Sequence, residues 1–332
     1  MTEIALDDLR TLAAAVLVGA GTSPPNAAHV ADALVAADAD GIASHGVSRL
    51  PAYADQASSG KVDGGAVPTI AETAAATLLV DAADGFAYPA IILGLERAAA
   101  RVRTTGIVAV ALRRSHHFGV AGHHVERLAA AGLVGLAFSN SPAGIAPWGG
   151  RRALYGTNPV AFACPRRDRP PLVVDLSLSK VARGRIMVAA DKGEPIPEGW
   201  ALDADGRPTT DARAAMGGTM LPMGDAKGAA LALAVELLAA GLTGGNYGFE
   251  AGSFFTADGP RPRIGHLFLI IDPVALAGPT FIDRVEVLLT AIEEQEGTRL
   301  PGARRLSARA RATADGVDVP EKLLAEIRRR AV

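Results

Sequence analysis

A chain of 332 residues with a single cysteine, Cys164, has no disulfide framework and no cysteine-based metal site. Aromatic residues make up only 5% of it, although 49% is hydrophobic. The core must therefore come from Ala, Leu, Val and Ile, which suits helices packed on a sheet. Charge of one sign is lacking too: 33 Lys and Arg stand against 35 Asp and Glu, a formal net charge of −2. That balance offers no general attraction to nucleic acid or to an anionic membrane. Apolar runs are short or, as in "GAALALAVELLAAGL", broken by a charge at Glu236, so none suits a bilayer. The opening "MTEIALDDLR" is acidic where a secretory leader is basic, and the expectation is a cytoplasmic protein.

The common nucleotide and hydrolase fingerprints are absent as well. There is no G-x-G-x-x-G, no Walker A sequence, no G-x-S-x-G and no H-E-x-x-H. An ordinary Rossmann site is therefore unsupported.

What is present reads as α/β with a helical N-terminal part. Helical periods run through "LDDLRTLAAAVLVGAG", "SPPNAAHVADALVAADADG" and "PAIILGLERAAARVRTTG". "TLLVDAADG" reads as a first strand and turn. "IVAVALRR", "GVAGHHVERLAAAG" and "LVGLAFSN" then follow as strand, helix and strand, which predicts a βαβ unit with a right-handed crossover. Further strands are expected at "VAFACP", "LVVDLS" and "HLFLIIDP", with long helices at "AKGAALALAVELLAAG" and "FIDRVEVLLTAIEEQEG". Residues 140–159, "NSPAGIAPWGGRRALYGTNP", show no period, and a loop this long inside a domain is usually functional.

Most of the seven histidines cluster: His45, His116, His117, His123 and His124. A zinc-type site through His117, His123 and Glu126 is one reading. Against it, His123 and His124 are adjacent on one helix and point about 100° apart. Packing or solvated roles suit them better, and no metal is expected.

"GIASHGVSRL" raises a sharper possibility. On one helical turn, His45 and Arg49 would be neighbours, and the guanidinium would disfavour a protonated imidazole. A bound carboxylate on Arg49 would offset that cost. His45 would then face the adjacent group as proton donor, with Ser44 orienting it. The bland alternative is a helix cap at Ser44 and His45, with Arg49 in solvent.

With "DGIASHGVSRLPAY" in view, the chain resembles the malate/L-lactate dehydrogenase family of the non-Rossmann type. That group includes sulfolactate, ureidoglycolate and diketogulonate dehydrogenases and the Δ1-piperideine/Δ1-pyrroline-2-carboxylate reductases. The likeness continues through "RRSHHFGVAGHHVERLAAAGLVGLAFSNS", "APWGGRRALYGTNPVAFACP", "VVDLSLSKVARGRI", "GEPIPEGWALDADGRPTTD", "LPMGDAKGAALALAVELLAAGLTGG" and "RLPGARR".

The resemblance implies a nicotinamide-binding fold of the L-sulfolactate dehydrogenase-like type. It implies a small carboxylate substrate, NADP or NAD as coenzyme, and a homodimer with sites at the subunit interface. It casts His45 and Ser44 as the proton-donor pair, with His117 a second catalytic candidate or a coenzyme contact. Arg49, Thr157 and Asn158 match substrate positions. Coenzyme positions match Phe118, Gly119, Asn140, Asp175, Leu176, Ser177, Arg183, Gly184 and Lys227, then Leu300, Pro301, Gly302, Arg304 and Arg305. In "GDAKG" Asp225 is expected to cap the helix that presents Lys227 to a phosphate.

A substrate domain of residues 1–115, joined by 290–332, and a coenzyme domain of 116–289 are expected. The activity expected is interconversion of a 2-oxo acid and its 2-hydroxy acid, with reduction of a cyclic imino acid as the alternative. The imine reductases of this family carry an aspartate where this chain has Arg185, which weakens that alternative. "GDAKG" replaces the common GG-x-KG, and "PGA", ending at Ala303, replaces PGE. The arginines at 183, 185, 304 and 305 favour NADP, whose extra phosphate an arginine accommodates.

Overall fold

The computed structural model describes residues 1–331. Its centre is a mixed sheet of seven strands. Their spatial order is Thr69–Ala74, Thr77–Asp81, Ile107–Ser115, Ile264–Ile271, Val134–Ser139, Val160–Cys164 and Leu172–Leu176. Only Thr77–Asp81 and Ile107–Ser115 pair in parallel; every other neighbour in this sheet is antiparallel.

The expected βαβ unit is thus split. Ile107–Ser115 and Val134–Ser139 do flank helix Ala121–Ala130, but Ile264–Ile271 lies between them, antiparallel to both. Local periodicity identifies a strand without identifying its neighbour. "HLFLII" belongs in the centre because both of its faces are covered: His266, Phe268 and Ile270 on one face have no exposed surface, and Leu267 on the other is 3% exposed. Edge strand Thr69–Ala74 was not visible as an alternation, since almost all of it is exposed.

Helices Ala87–Thr105 and Ala121–Ala130 pack on the sheet through Ile91, Ala98, Val125 and Leu128. Strand Ile107–Ser115, which ends at the expected division between 115 and 116, is an interior strand of this sheet. A second apolar cluster joins helices Leu6–Gly19, Pro24–Ala39 and Leu50–Ser58 to the far end of the chain through Ala312, Val317, Leu324 and Ile327. There Thr2–Ile4 pairs antiparallel with Val317–Val319. A third, smaller cluster includes Ile145, Ile186 and Met220 and seats the long loop against helix Arg183–Lys192.

Helix Ala303–Asp315 escaped the period because only Ala312 is buried along it. The loop 140–159 is ordered without regular structure, held by bridges from Ile145 to Tyr155 and Met220.

Strands Ile107–Ser115, Val134–Ser139 and Leu172–Leu176 run in one direction. Their carboxyl ends deliver His116 and His117, Asn140, and Ser177 to the same side of the sheet. That is where open α/β sheets place ligands.

Candidate active site

Helix Pro24–Ala39 ends at Asp40 and Gly41, and the chain then makes two short 3₁₀ turns, Ala43–His45 and Val47–Arg49. Gly46 between them is extended, so His45 and Arg49 do not share the single helical turn expected of them. Asp38 explains the break. Its Oδ2 accepts from the Val47 amide at 2.7 Å, and a Cβ on residue 46 would lie 2.0 Å from its Oδ1. Only glycine permits that approach.

The break still joins the three side chains. Ser44 Oγ and His45 Nδ1 are hydrogen-bonded at 3.0 Å. Arg49 curls back to donate from Nε to the Ser44 carbonyl at 2.7 Å, and its guanidinium carbon sits 4.6 Å from the Phe255 ring centre. Arg49 is thereby held by backbone and by an aromatic face. Burial, then the Arg49 charge, pushes the His45 pKa down to about 4. The conflict read from the sequence is present.

His117 stands opposite, its ring centre 5.4 Å from that of His45. Tyr53 Oη is 2.6 Å from His117 Nδ1, and Phe254 closes the other side at 5.0 Å between ring centres. Burial holds the His117 pKa well below its ordinary value. His116 turns inward and hydrogen-bonds Gln56 at 3.1 Å.

Ser44, His45, Arg49 and His117 line a cleft of about 1660 Å³ together with Asn140, Thr157, Asp175, Leu176 and Ser177. Phe118, Gly119, Arg183, Gly184, Pro301, Gly302, Arg304 and Arg305 face the same space. Its volume exceeds the roughly 300–1,000 Å³ usual for one small ligand, leaving room for an extended dinucleotide and a small acid. A side chain at Gly184 would meet nothing within 4 Å, so the wall there is open. Asp175 is anchored by the Gly122 amide, which it accepts at 2.7 Å, while burial pushes its pKa up.

Some expected residues are not brought to the cleft. Asn158 is wholly buried behind it, donating to Glu236 Oε2 at 2.7 Å and the Ala232 carbonyl at 2.8 Å. Lys227 is exposed on helix Asp225–Glu236 and is not among the cleft-lining residues. Asp225 does not cap that helix; Gly224 occupies the cap position without any side-chain bond. Arg305 faces the cleft but is spent on Glu126, at 3.0 and 3.1 Å, and lies 3.4 Å from Asp40. Arg183 and Arg304 have no carboxylate partner among the described residues.

The metal reading through His117, His123 and Glu126 finds no support in the geometry. His123 is bonded to Asp40 at 2.8 Å, and Glu126 to Arg305 and Arg309. Among the described residues no group of three or more His, Cys, Asp or Glu side chains is arranged to hold a metal ion.

Two contributors were missed by sequence reasoning. Tyr53 supports His117, and nothing local in "RLPAY" marks that role. Glu236 lies buried where the α-helix passes into a π-helical turn, Leu237–Gly241. It accepts from Asn140 Nδ2 at 3.0 Å, Asn158 Nδ2 at 2.7 Å and the Gly248 amide at 2.6 Å. One carboxylate thus ties three cleft-forming segments together, and π-turns recur at functional sites. The signal was a lone charge in the otherwise apolar run 228–242.

Solved structures share this architecture. Sulfolactate dehydrogenase from Methanocaldococcus jannaschii superposes with a TM-score of 0.91 at 30% identity, over 99% of this chain and 96% of that one. Δ1-piperideine-2-carboxylate reductase from Pseudomonas syringae gives 0.93 at 40% identity, over 99% and 100%. The fold is therefore the sulfolactate dehydrogenase-like, non-Rossmann α/β type. The malate/L-lactate dehydrogenase family model matches residues 4–328. The (2R)-3-sulfolactate dehydrogenase (NADP(+)) of Chromohalobacter salexigens is 55% identical over 329 residues, covering 99% of this chain and 98% of its own length. The chain belongs to the malate/L-lactate dehydrogenase family, and it is an oxidoreductase.

Proposed function

We propose that this protein interconverts a small 2-oxo acid and its 2-hydroxy acid with NADP(H), with sulfopyruvate and 3-sulfolactate the first pair to test. The observation that carries this reading is Arg49. It is a guanidinium fixed at Nε and facing the cleft beside Ser44 and His45. Its free edge suits the two oxygens of a substrate carboxylate.

The coenzyme, when bound, supplies a hydride to the substrate carbonyl carbon. The remaining work falls to the chain. Arg49 fixes the acid group, which sets the carbonyl against His45. As the carbonyl π bond breaks, His45 gives its proton to the oxygen; in the reverse direction it takes that proton back. Ser44 holds the imidazole through Nδ1. The free enzyme holds His45 neutral, and a carboxylate on Arg49 removes one cause of that, so substrate binding itself favours the protonated donor. Thr157 shapes the substrate wall; its amide donates to Ser141 Oγ at 3.0 Å.

NADP is preferred in this reading because Arg183 and Arg304 line the cleft without carboxylate partners, free for a phosphate. A homodimer is part of the same proposal. Leu231, Leu233, Leu237 and Leu242 are 43–66% exposed along one helix and its end, which supports a covering second copy. No helix is long and apolar enough to cross a membrane among the described residues, and we place the activity in the cytoplasm.

The test is a panel of sulfopyruvate, pyruvate, oxaloacetate and Δ1-pyrroline-2-carboxylate with NADPH and NADH. Oxidation of NADPH by an oxo acid is the expected result. Consumption by the imine alone would overturn the reading in favour of a cyclic-imine reductase. Arg185, exposed and not among the cleft-lining residues, stands against that outcome.

A further inference from the structure

His117 is the second imidazole of the site, and its role depends on which ring nitrogen carries the proton. That is decided behind it. Tyr53, without exposed surface, puts its hydroxyl 2.6 Å from His117 Nδ1. The Tyr53 hydroxyl has no other hydrogen-bond partner among the described residues, and the buried Tyr88 hydroxyl nearby has none at all. It is packed against Gly119, where an added Cβ would lie 2.6 Å from it.

The hydrogen bond between Tyr53 and His117 can point two ways. Pointing inward, His117 donates from Nδ1 to Tyr53, and the Tyr53 proton has no acceptor among the described residues. Pointing outward, Tyr53 donates to His117 Nδ1, and the ring proton sits on Nε2 of His117. Both donors of the pair are then satisfied, because His117 lines the cleft, where water or ligand can accept. A stranded buried hydroxyl disfavours the inward arrangement by roughly 10- to 100-fold in population.

We propose that Tyr53 is a positioning residue that locks His117 as the Nε2–H tautomer, making it a hydrogen-bond donor to the site and not a proton acceptor. The two imidazoles then divide the work. His45 moves the proton, while His117 holds the oxygen that becomes negative as the carbonyl is reduced. This division rests on the oxidoreductase reading above; the tautomer itself does not. Burial of the ring keeps His117 neutral and so keeps the choice of tautomer meaningful.

Long-range ¹H–¹⁵N correlation on protein labelled with ¹⁵N-histidine reads the tautomer directly, with His117→Gln assigning the signal. The wild type is expected to show Nε2–H. Tyr53→Phe removes the donor to Nδ1, and the Nδ1–H form should appear. Tyr88→Phe removes a buried hydroxyl that takes no part in the pair, and the Nε2–H signal should persist there. With a substrate in hand, Tyr53→Phe should lower kcat about tenfold with little change in KM. An Nδ1–H signal in the wild type, or identical spectra for wild type and Tyr53→Phe, overturns the proposal. The spectra need no substrate, so they decide it whether the panel above selects an oxo acid or an imine.

Discussion

The imidazoles of His45 and His117 face each other with ring centres 5.4 Å apart, and burial strips both of basicity. Two neutral rings beside the Arg49 cation make a site that favours an anion and takes up a proton only when one is bound.

The pH dependence of catalysis follows from the His45 pKa of about 4 in the free protein. Oxidation of the hydroxy acid needs the neutral ring. Its kcat/KM should be flat across neutrality and fall only as pH drops towards about 4. Reduction needs the protonated ring, so its kcat/KM should decline about tenfold per unit as pH rises above that value. Initial rates in both directions from about pH 5 to 9 check this. A rise of reduction kcat/KM with pH would contradict it.

Stability should weaken in mild acid. His116 and His266 are pushed down to about 3, and His45 and His124 to about 4, from an ordinary 6.5, by burial in each case. Below 6.5 the unfolded chain takes up protons that the folded one refuses. Stability therefore rises with pH across this window, is complete above it, and is lost as pH falls towards 4. The slope is up to about 1.4 kcal/mol per pH unit for each such histidine. Urea midpoints at about pH 7 and pH 5 measure it; equal midpoints would refute it.

Arg49→Lys keeps the charge but loses the planar fork and the Nε bond to Ser44. It should raise KM for the acid and lower kcat/KM roughly 10- to 100-fold. Arg49→Ala should go further, again chiefly in KM, while coenzyme affinity stays near wild type.

Glu236→Gln turns an acceptor of three hydrogen bonds into a group that must point an amide at some of those donors. An orphaned buried donor costs about 1–3 kcal/mol, so the thermal midpoint should drop by several degrees and kcat should fall. Adding Asn158→Asp restores an acceptor opposite the new amide. Partial recovery of both in the double variant is expected; strict additivity would argue against the contact.

Coenzyme choice should reside in Arg183 and Arg304. Arg304→Ala should raise KM for NADPH roughly tenfold or more and leave KM for NADH within about twofold. Equal effects on both coenzymes would remove Arg304 from phosphate recognition.

The Ser44–His45–Arg49 group was legible because three polar residue types stand together in an alanine-rich stretch, and the family resemblance favoured a catalytic role over a plain helix cap. Their turn geometry was not, since the Asp38 contact that breaks the helix at Gly46 is tertiary. Most strands and helices around the cleft could be read from apolar period, whereas sheet order could not. Asn158 matched a substrate motif yet points away from the cleft, because Glu236 claims its amide from 78 residues on. Tyr53 and His117 meet across 64 residues, a separation that no local pattern encodes.

The most direct measurement is steady-state reduction of the preferred 2-oxo acid by His45→Ala and His117→Ala beside the wild type. His45→Ala should lose roughly 10²–10⁴-fold in kcat while binding coenzyme normally. Near-normal turnover by His45→Ala, with turnover abolished in His117→Ala, would contradict it.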